Sequence, residues 1–469
     1  MLYNSGDFVF NYRTALPNLL FGMLLILIPT VILLPVVLPN KVCKAYSCIT
    51  MSFCLMSYLQ SIFLNGKMGL VDGGRQNWDM REMIVNMAIW IAIVSLILLL
   101  CRKEKIYRLL LGFSVYIIAI QLITGIYIVI KEDGFHSTTR QLTEDEVLTL
   151  SEDNNTVVFI LDAYDVQMLE YVIDDDPGYL EPLHDFTYYD NMSSRYTATD
   201  GSLPYLLTGA DINDSEIEKQ QSIWYRDSHF LNDIKNSGYD IRILTEAKHV
   251  EEFDDGLIDN YSEDNYCDLD PEKELELFTR CMRYKSLPFL LKPYYRYEEY
   301  DITNTITDTN VYVFGTDADF DDKINEYGIQ TSDSKGSFRI YHLYGAHSPY
   351  YLTADAKLDY DSTPIAQWKG CLKIVYDYIA ELQRSDIYDD TTIIIMADHG
   401  LNNTQRESVK AAGLSINEDK TNPIFFIKRA EEKSSELRIN HKSTSHDAFF
   451  DTVRESMNLP SAYYGTVWE

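Results

Sequence analysis

The sequence predicts two parts: a multi-pass α-helical membrane region, then an α/β domain built on a mainly parallel, doubly wound sheet. Three observations carry this prediction. Four long apolar runs without a single acidic or basic residue fall before residue 131. The balance of charge reverses at the same place. Beyond it, short β-branched runs alternate with helical patterns, and two of these runs stop abruptly at a carboxylate.

The apolar runs are Leu19–Leu38, Tyr46–Leu64, Met83–Leu100 and Leu109–Ile130. Each is close to the ~20 residues that a helix needs to cross a bilayer. The first has the length of a signal peptide, but no small-residue cleavage site follows it and three more runs do. Basic residues near the spans set orientation. Arg102, Lys103, Lys105 and Arg108 mark the loop after the third run as cytoplasmic. The 65–82 loop, the N-terminus and everything after Ile130 then lie outside. Lys67, Arg75 and Arg81 in the outer loop oppose this, and Asp72, Asp79 and Glu82 sit beside them. An outside N-terminus with no signal suggests that an earlier span is missing from the chain.

Of 40 basic and 71 acidic residues, 11 and 5 lie within the first 131, leaving 29 and 66 and a net charge of −37 for the rest. A domain this acidic repels nucleic acid, which is excluded as a partner. Four of seven cysteines (Cys43, Cys48, Cys54, Cys101) lie in or beside the spans. Cys267, Cys281 and Cys371 are too few for a disulfide framework, though the spacing allows one bridge between Cys267 and Cys281.

After residue 130, the polar stretch 131–155 reads as a linker with a short helix at 144–150. The outer domain is expected over 156–469. TVVFILDAYD is a buried strand ending in Asp162, followed by an acidic-apolar helix at about 165–173. Phe186–Asp190 reads as a strand, 199–209 as a loop entering a short helix, 227–237 as a helix and Tyr239–Leu244 as a strand. The region 248–335 is acidic and Tyr-rich, and helices and loops are expected there. Phe338–Leu343 is a strand that leads into GAHSPY. Over 363–384, Ile365, Trp368, Leu372, Val375, Ile379 and Leu382 fall on one helical face. TTIIIMADHG (391–400) is a strand ending in Asp398, His399 and Gly400; Pro423–Lys428 is a further strand and 446–457 a closing helix.

In an α/β sheet, ligands gather beyond the carboxyl ends of the strands. Asp162 and Asp398 would meet there if their strands are neighbours, with His399 beside them. Two carboxylates and an imidazole suit a hard-to-borderline cation such as Zn²⁺ or Mn²⁺. The same ADHG pattern also reads as a helix cap and a turn. Thr199 is a candidate fourth group. At the mouth of a helix it would meet an anion, and a metal contact would make its alkoxide available. Plain N-capping by Thr199 is the competing reading. His347 and His446 lie near element ends, whereas His342 lies inside a strand and reads as a packed histidine. Trp224 and Arg226 form a pair that could grip a phosphate, or simply sit at the surface.

With these residues in view, 155–469 resembles the alkaline phosphatase superfamily in its sulfatase-like branch, in particular membrane-bound lipoteichoic acid synthases and phosphoethanolamine transferases. TVVFILDAYD is similar to the strand that ends in an acidic ligand. YTATDGSLPYLLTG is similar to the nucleophile segment, HLYGAHSPY to the substrate-side histidine loop, ADHG to the Asp-His ligand pair and SHDAFFDTV to the closing helix. Two alignments, on Thr-x-Thr-x-x-Ser-x-Pro and on Leu-Leu-Thr-Gly, both put the nucleophile at Thr199. The departures are informative. Sulfatases need Cys or Ser, then Pro two and Arg four residues on, where this chain has Thr199, Gly201 and Leu203. The cysteines that bridge this segment in phosphoethanolamine transferases are Arg195 and Tyr205 here. Trp224-Tyr225-Arg226 is similar to the phosphate-binding Trp-x-Arg of the synthases.

The resemblance implies a phosphotransferase of the cell membrane, multi-pass, with its catalytic domain extracytoplasmic. Asp162, Thr199, Asp398 and His399 would hold one divalent metal ion, Zn²⁺ or Mn²⁺, with a second allowed. Thr199 would be the catalytic nucleophile, and His347, Arg226, Trp224 and His446 would bind substrate. A phospholipid would donate a phosphoglycerol- or phosphoethanolamine-type group through a phospho-threonine, and a surface glycan or glycolipid would accept it. A phosphodiesterase or sulfatase-like hydrolase on the same site is the alternative, followed by a non-catalytic surface binding protein.

Overall fold

A computed structural model describes residues 12–29, 34–66, 79–131, 141–210, 225, 228–250, 253, 256–262, 269–297, 301, 305–307 and 312–468. The chain divides into two compact units, Met1–Thr139 with Asp264–Thr309, and Arg140–Glu263 with Asn310–Glu469. The division cuts through the acidic, Tyr-rich region, so the chain leaves the second unit at 263 and re-enters it at 310.

In the first unit, α1 (Tyr12–Leu27) precedes α2 (Asn40–Leu59), α3 (Met80–Leu100) and α4 (Glu104–Lys131). Three described helical stretches, Asn40–Leu64, Met80–Leu100 and Glu104–Tyr127, are long and apolar enough to cross a membrane. The predicted first run holds α1 and the short helix Leu34–Val37, and residues 30–33 lie outside the described set. Outward-facing apolar side chains such as Leu109, Leu122 and Ile130 are two-thirds exposed, as expected of a surface that meets lipid. Charged residues of the three spanning helices fall near their ends. Lys44 and Arg108 pair with Glu104 at one end. At the other, α2 closes in a π-turn, Gln60–Leu64. Buried Gln60 there donates to Asn65 Oδ1 at 2.8 Å and accepts from Asn86 Nδ2 and Trp90 Nε1, each at 2.9 Å. The segment 269–297 belongs to this unit and forms a helix, Pro271–Ser286, capped by Asp270. Its Glu274 accepts from Asn18 of α1 at 2.8 Å. Cys281 keeps a free thiol, so the bridge to Cys267 does not form, and Cys267 lies outside the described residues.

The second unit is built on seven strands: β1 (Asn155–Leu161), β2 (Thr187–Tyr189), β3 (Asp240–Leu244), β4 (Ser337–Leu343), β5 (Thr391–Met396), β6 (Phe425–Lys428) and β7 (Arg438–Asn440). They lie in the order β7-β2-β6-β5-β1-β4-β3. The run β5-β1-β4-β3 is parallel throughout. Strand β6, expected only as a further strand, runs antiparallel to both of its neighbours. Every residue of β1, β4 and β5 is buried, which is why these strands read as continuous apolar runs rather than as alternating ones. Helices cover both faces. Pro364–Arg384 is capped by Thr363 and buries Trp368, Leu372, Val375, Ile379 and Leu382. Phe159 of β1 packs at 5.2 and 5.1 Å from the rings of Tyr341 and Tyr378. The helix expected at 144–150 is not formed. That stretch is turn and a short strand, Thr149–Ser151, paired in parallel with Gln330–Ser332. Thr149 and Ser151 favour extended backbone, and tertiary pairing decides the outcome.

Register fixes what the strands deliver. Met396 of β5 pairs with Ile160 of β1, so Asp398 and Asp162 leave the sheet at the same level. Leu161 pairs with Leu343, which brings in the loop after β4. In that loop Gly345 has φ +61°, and a Cβ would lie 2.5 Å from Asp162 N and 2.7 Å from Leu161 C. These are backbone atoms and cannot swing away. Gly345→Ala should therefore cost about 2–4 kcal/mol from left-handed strain and overpacking. A thermal melt of the full chain in detergent checks this, and an unchanged midpoint would refute the close approach.

Candidate active site

Strand β1 ends at Leu161, and Asp162 follows before a tight turn in which Ala163 adopts φ +58°. Asp162 N donates to Leu343 O at 3.2 Å, and Asp162 O accepts from Ala346 N at 3.0 Å. The backbone is thus held from β4 while the carboxylate is left free for other partners. Strand β5 ends two residues before Asp398. The Oδ1 of Asp398 accepts from Ala163 N at 3.0 Å and from its neighbour His399 N at 2.9 Å. Its other oxygen, Oδ2, is buried without a hydrogen-bond partner among the described residues. His399 Nδ1 faces Gly400 O at 2.7 Å. A carbonyl only accepts, so Nδ1 carries the proton and Nε2 keeps a lone pair. That Nε2 lies 3.6 Å from both Asp162 Oδ1 and Asp398 Oδ2. Gly400 is required beside it, because a Cβ would fall 2.5 Å from Asp165 Oδ2. That oxygen accepts from Leu401 N and Asn422 N, each at 3.0 Å, and pins the turn.

Thr199 is the first residue of the helix Thr199–Thr208. The cap position belongs to Ala198, whose backbone is extended and whose side chain caps nothing. The capping reading of Thr199 therefore fails, and its hydroxyl is available elsewhere. Thr199 Oγ1 lies 3.5 Å from Asp162 Oδ1 and 3.4 Å from His399 Nε2. These separations exceed ordinary O–H···O bonds. The four groups therefore line a shared gap rather than satisfy one another.

The donor set fits a divalent cation. One oxygen each from Asp162 and Asp398 and one nitrogen from His399 lie within 4.8 Å of one another, and all three residues are buried. Burial, then the Asp398 charge and Glu246, push the Asp162 carboxyl well above its usual range. Burial works the same way on Asp398, but His399, His342, the Ala163 N–H and Thr199 together hold that carboxyl below its usual range. Two desolvated carboxylates around one gap cannot both stay charged without a positive partner.

Three more histidines surround this centre. Burial lowers His342, His347 and His446 to about 4, so each is neutral at physiological pH. His347 lies on the half-buried loop after β4, with Nδ1 3.1 Å from Tyr344 Oη. His446 opens a short 3₁₀ turn, is fully buried, and is close enough to feel the Asp398 charge. His342, which the sequence assigns to packing, does stack on Phe314 and meet Thr245 Oγ1 at 2.9 Å. It also lies near enough to Asp398 and His399 to respond to both. Trp224 and Arg226 lie outside the described residues.

Several residues here escaped sequence reasoning. Asp317 Oδ1 and Oδ2 accept from Tyr344 N and Gly345 N at 3.0 Å each and fix the His347 loop. Gln367 Nε2 donates to Gly345 O at 2.6 Å. Lys248, after β3, lies 2.5 Å from Glu246 and 3.4 Å from Asp200 in the first turn of the Thr199 helix. None of these has a local pattern, although Asp317 and Lys248 both follow a strand or open a helix. Arg195 and Tyr205 converge on one carboxylate: Tyr205 Oη donates to Asp447 Oδ1 at 2.5 Å, and Arg195 Nη1 lies 3.9 Å from Asp447 Oδ2. A polar clamp thus ties both sides of the Thr199 segment to the His446 turn.

No protein-family profile and no curated protein sequence matches the chain. Among solved structures it is similar to a protein of the alkaline phosphatase superfamily from Vibrio parahaemolyticus, at 13% identity over 69% of this chain and 70% of that one, with a TM-score of 0.40. An integral membrane lipooligosaccharide phosphoethanolamine transferase from Neisseria meningitidis is 12% identical over 97% of this chain and 90% of its own, with a TM-score of 0.36. A lipoteichoic acid synthase from Listeria monocytogenes is 11% identical over 67% and 74%, with a TM-score of 0.35. At these values the likeness is broad, and the chemistry of the site stands on its own geometry.

That geometry makes cation binding pH-dependent in a defined direction. Asp162 takes up a proton more readily than an ordinary carboxylate, and a bound cation must displace it. Affinity for Zn²⁺ or Mn²⁺ should fall by up to about tenfold per pH unit below the raised Asp162 value, as calorimetric titrations at pH 5.5 and 7.5 would detect. Asp398→Asn should weaken binding at both pH values, and equal affinity in that variant would refute the assignment.

Proposed function

We propose that the chain is a membrane-anchored, metal-dependent phosphotransferase that moves a phospho-alcohol group from a phospholipid to a hydroxyl of a surface glycan or glycolipid. The observation that carries this reading is the uncapped Thr199 hydroxyl, 3.4 Å from His399 Nε2 and 3.5 Å from Asp162 Oδ1, at the start of a helix. A nucleophile, a cation-binding donor set and the positive end of a helix dipole meet at one point. Asp162, Asp398 and His399 would hold a divalent ion, which would supply charge stabilisation at phosphoryl oxygens and a lower pKa for the Thr199 hydroxyl.

The chain's own residues account for the rest. The Thr199 and Asp200 N–H groups at the start of that helix orient the phosphoryl oxygens, those of Gly201 and Ser202 being donated to Ala198 O. Thr199 Oγ1 forms a bond to phosphorus as its proton passes to solvent, the lipid alkoxide departs and is protonated, and a phospho-threonine remains. The acceptor hydroxyl then attacks the same phosphorus and releases Thr199. His347 is neutral when the site is free, and a phosphoryl anion beside it raises its basicity, so it is suited to take the acceptor's proton.

The membrane placement is part of the same proposal. The basic 102–108 loop marks the cytoplasmic end of the α3–α4 hairpin. The second unit's chain passes through 269–297, which is fastened within the first unit to the opposite end of that hairpin. Because α4 leads away from that loop, the first feature favours an extracytoplasmic catalytic unit.

Thr199→Ala should lower transfer by at least about a thousandfold while leaving metal content and melting temperature unchanged. Thr199→Ser should retain activity and trap label. The assay uses headgroup-labelled phosphatidylglycerol and phosphatidylethanolamine, with and without a glycan acceptor. Full transfer by Thr199→Ala would overturn the mechanism, and release of headgroup independent of acceptor would make the protein a hydrolase.

A further inference from the structure

The segment after the helix Pro271–Ser286 reverses the character of the chain around it. Between Arg280 and Arg296 there are five basic residues and no acidic one, within a part of the chain that is otherwise strongly acidic. It is also fastened at a definite depth. Asn65, at the close of the π-turn after α2, donates from Nδ2 to Lys285 O at 2.9 Å. Asn86, near the start of α3, accepts from Phe289 N at 3.0 Å through Oδ1. Both asparagines belong to the polar network around Gln60, so the turn 285–289 is locked to one end of two helices long enough to span a bilayer. Lys292, fully buried, donates to Tyr284 O and Lys285 O and ties the next turn back onto the C-terminus of the helix.

What this scaffold presents outward is apolar and cationic at once. Met282, Leu290, Leu291 and Tyr294 are exposed at 62%, 43%, 38% and 80%. Arg283 and Lys285 are exposed beside them, Arg283 with its guanidinium 5.2 Å from the Tyr295 ring. Apolar side chains, a tyrosine and basic groups at the end of a spanning helix are the composition of a membrane interface.

We propose that residues 282–294 form a monotopic anchor in the outer leaflet, with Met282, Leu290, Leu291 and Tyr294 among lipid chains and headgroups and Arg283 and Lys285 on the phosphates of anionic lipids. The proposal rests on the membrane reading above. It gives the first unit an attachment to the lipid surface separate from its spanning helices. It also concentrates anionic phospholipid at the membrane face of the protein.

The test uses the full chain in vesicles of equal phosphatidylglycerol and phosphatidylcholine. A photoreactive benzoylphenylalanine is placed in turn at positions 291 and 294, at 63 as a spanning-helix control and at 327 as a control on the second unit. Lipid adducts are expected at 63, 291 and 294 and not at 327. Adducts at 63 alone, or equal yields at 327 and 294, overturn the anchor. Absence of adducts at 63 removes the membrane reading itself and the anchor with it. Adducts at 294 should favour phosphatidylglycerol, and Arg283→Glu with Lys285→Glu should reduce that preference by about fivefold per residue. No preference in the unsubstituted chain overturns the headgroup assignment.

Discussion

The parallel pairing of β1 with β5 is the constraint on which the candidate site depends. Ile160 opposite Met396 puts Asp162 opposite Asp398, two residues beyond the last ladder positions. A shift of one residue would turn every side chain of a strand to the other face. Both strands are buried along their whole length, so a slip would disturb packing on both faces of the sheet. The same alignment extends through Leu161 and Leu343 to the His347 loop and through Leu244 and Tyr341 to Glu246 and Lys248. Four parallel strands therefore deliver their following residues to one edge, the place where α/β sheets bind ligands.

Bringing carboxylates together in a dry site is costly, and the structure distributes that cost unevenly. Asp398 accepts two backbone N–H bonds and lies near imidazoles, which favours its charged form. Asp162 has no comparable support for its charge, and burial raises its affinity for a proton. The unpartnered Asp398 Oδ2 and the proton-free His399 Nε2 leave lone pairs converging on a common gap. A divalent cation would resolve all of these at once. Asp317 on the Gly345 loop and Asp447 on Tyr205 and Arg195 fix the segments that border that gap.

The first unit follows the opposite rule. Its spanning helices present apolar side chains outward, with a buried amide network around Gln60 near one end and the ion pairs of Glu104 at the other. Satisfying Gln60, Asn65 and Asn86 within one network lets amide groups sit on helices with long apolar surfaces. That network recruits backbone groups of Lys285 and Phe289, residues distant in sequence, and makes 269–297 part of the helical unit.

Most element types follow from the sequence alone, because buried strands, amphipathic helices and spanning helices each leave a periodic or uninterrupted apolar signature. TVVFIL, FRIYHL, TTIIIM and the face from Trp368 to Leu382 were legible for that reason, as were Asp162, Asp398 and His399 at the strand ends. It misread 144–150, where the pairing partner Gln330–Ser332 lies far along the chain. It could not find the direction of β6, the free thiol of Cys281 or the supporting roles of Asp317, Gln367 and Lys248. It left open whether Thr199 caps its helix. Strand direction, the choice of Ala198 as cap and the return of 269–297 to the helical unit depend on contacts between residues that no local pattern connects.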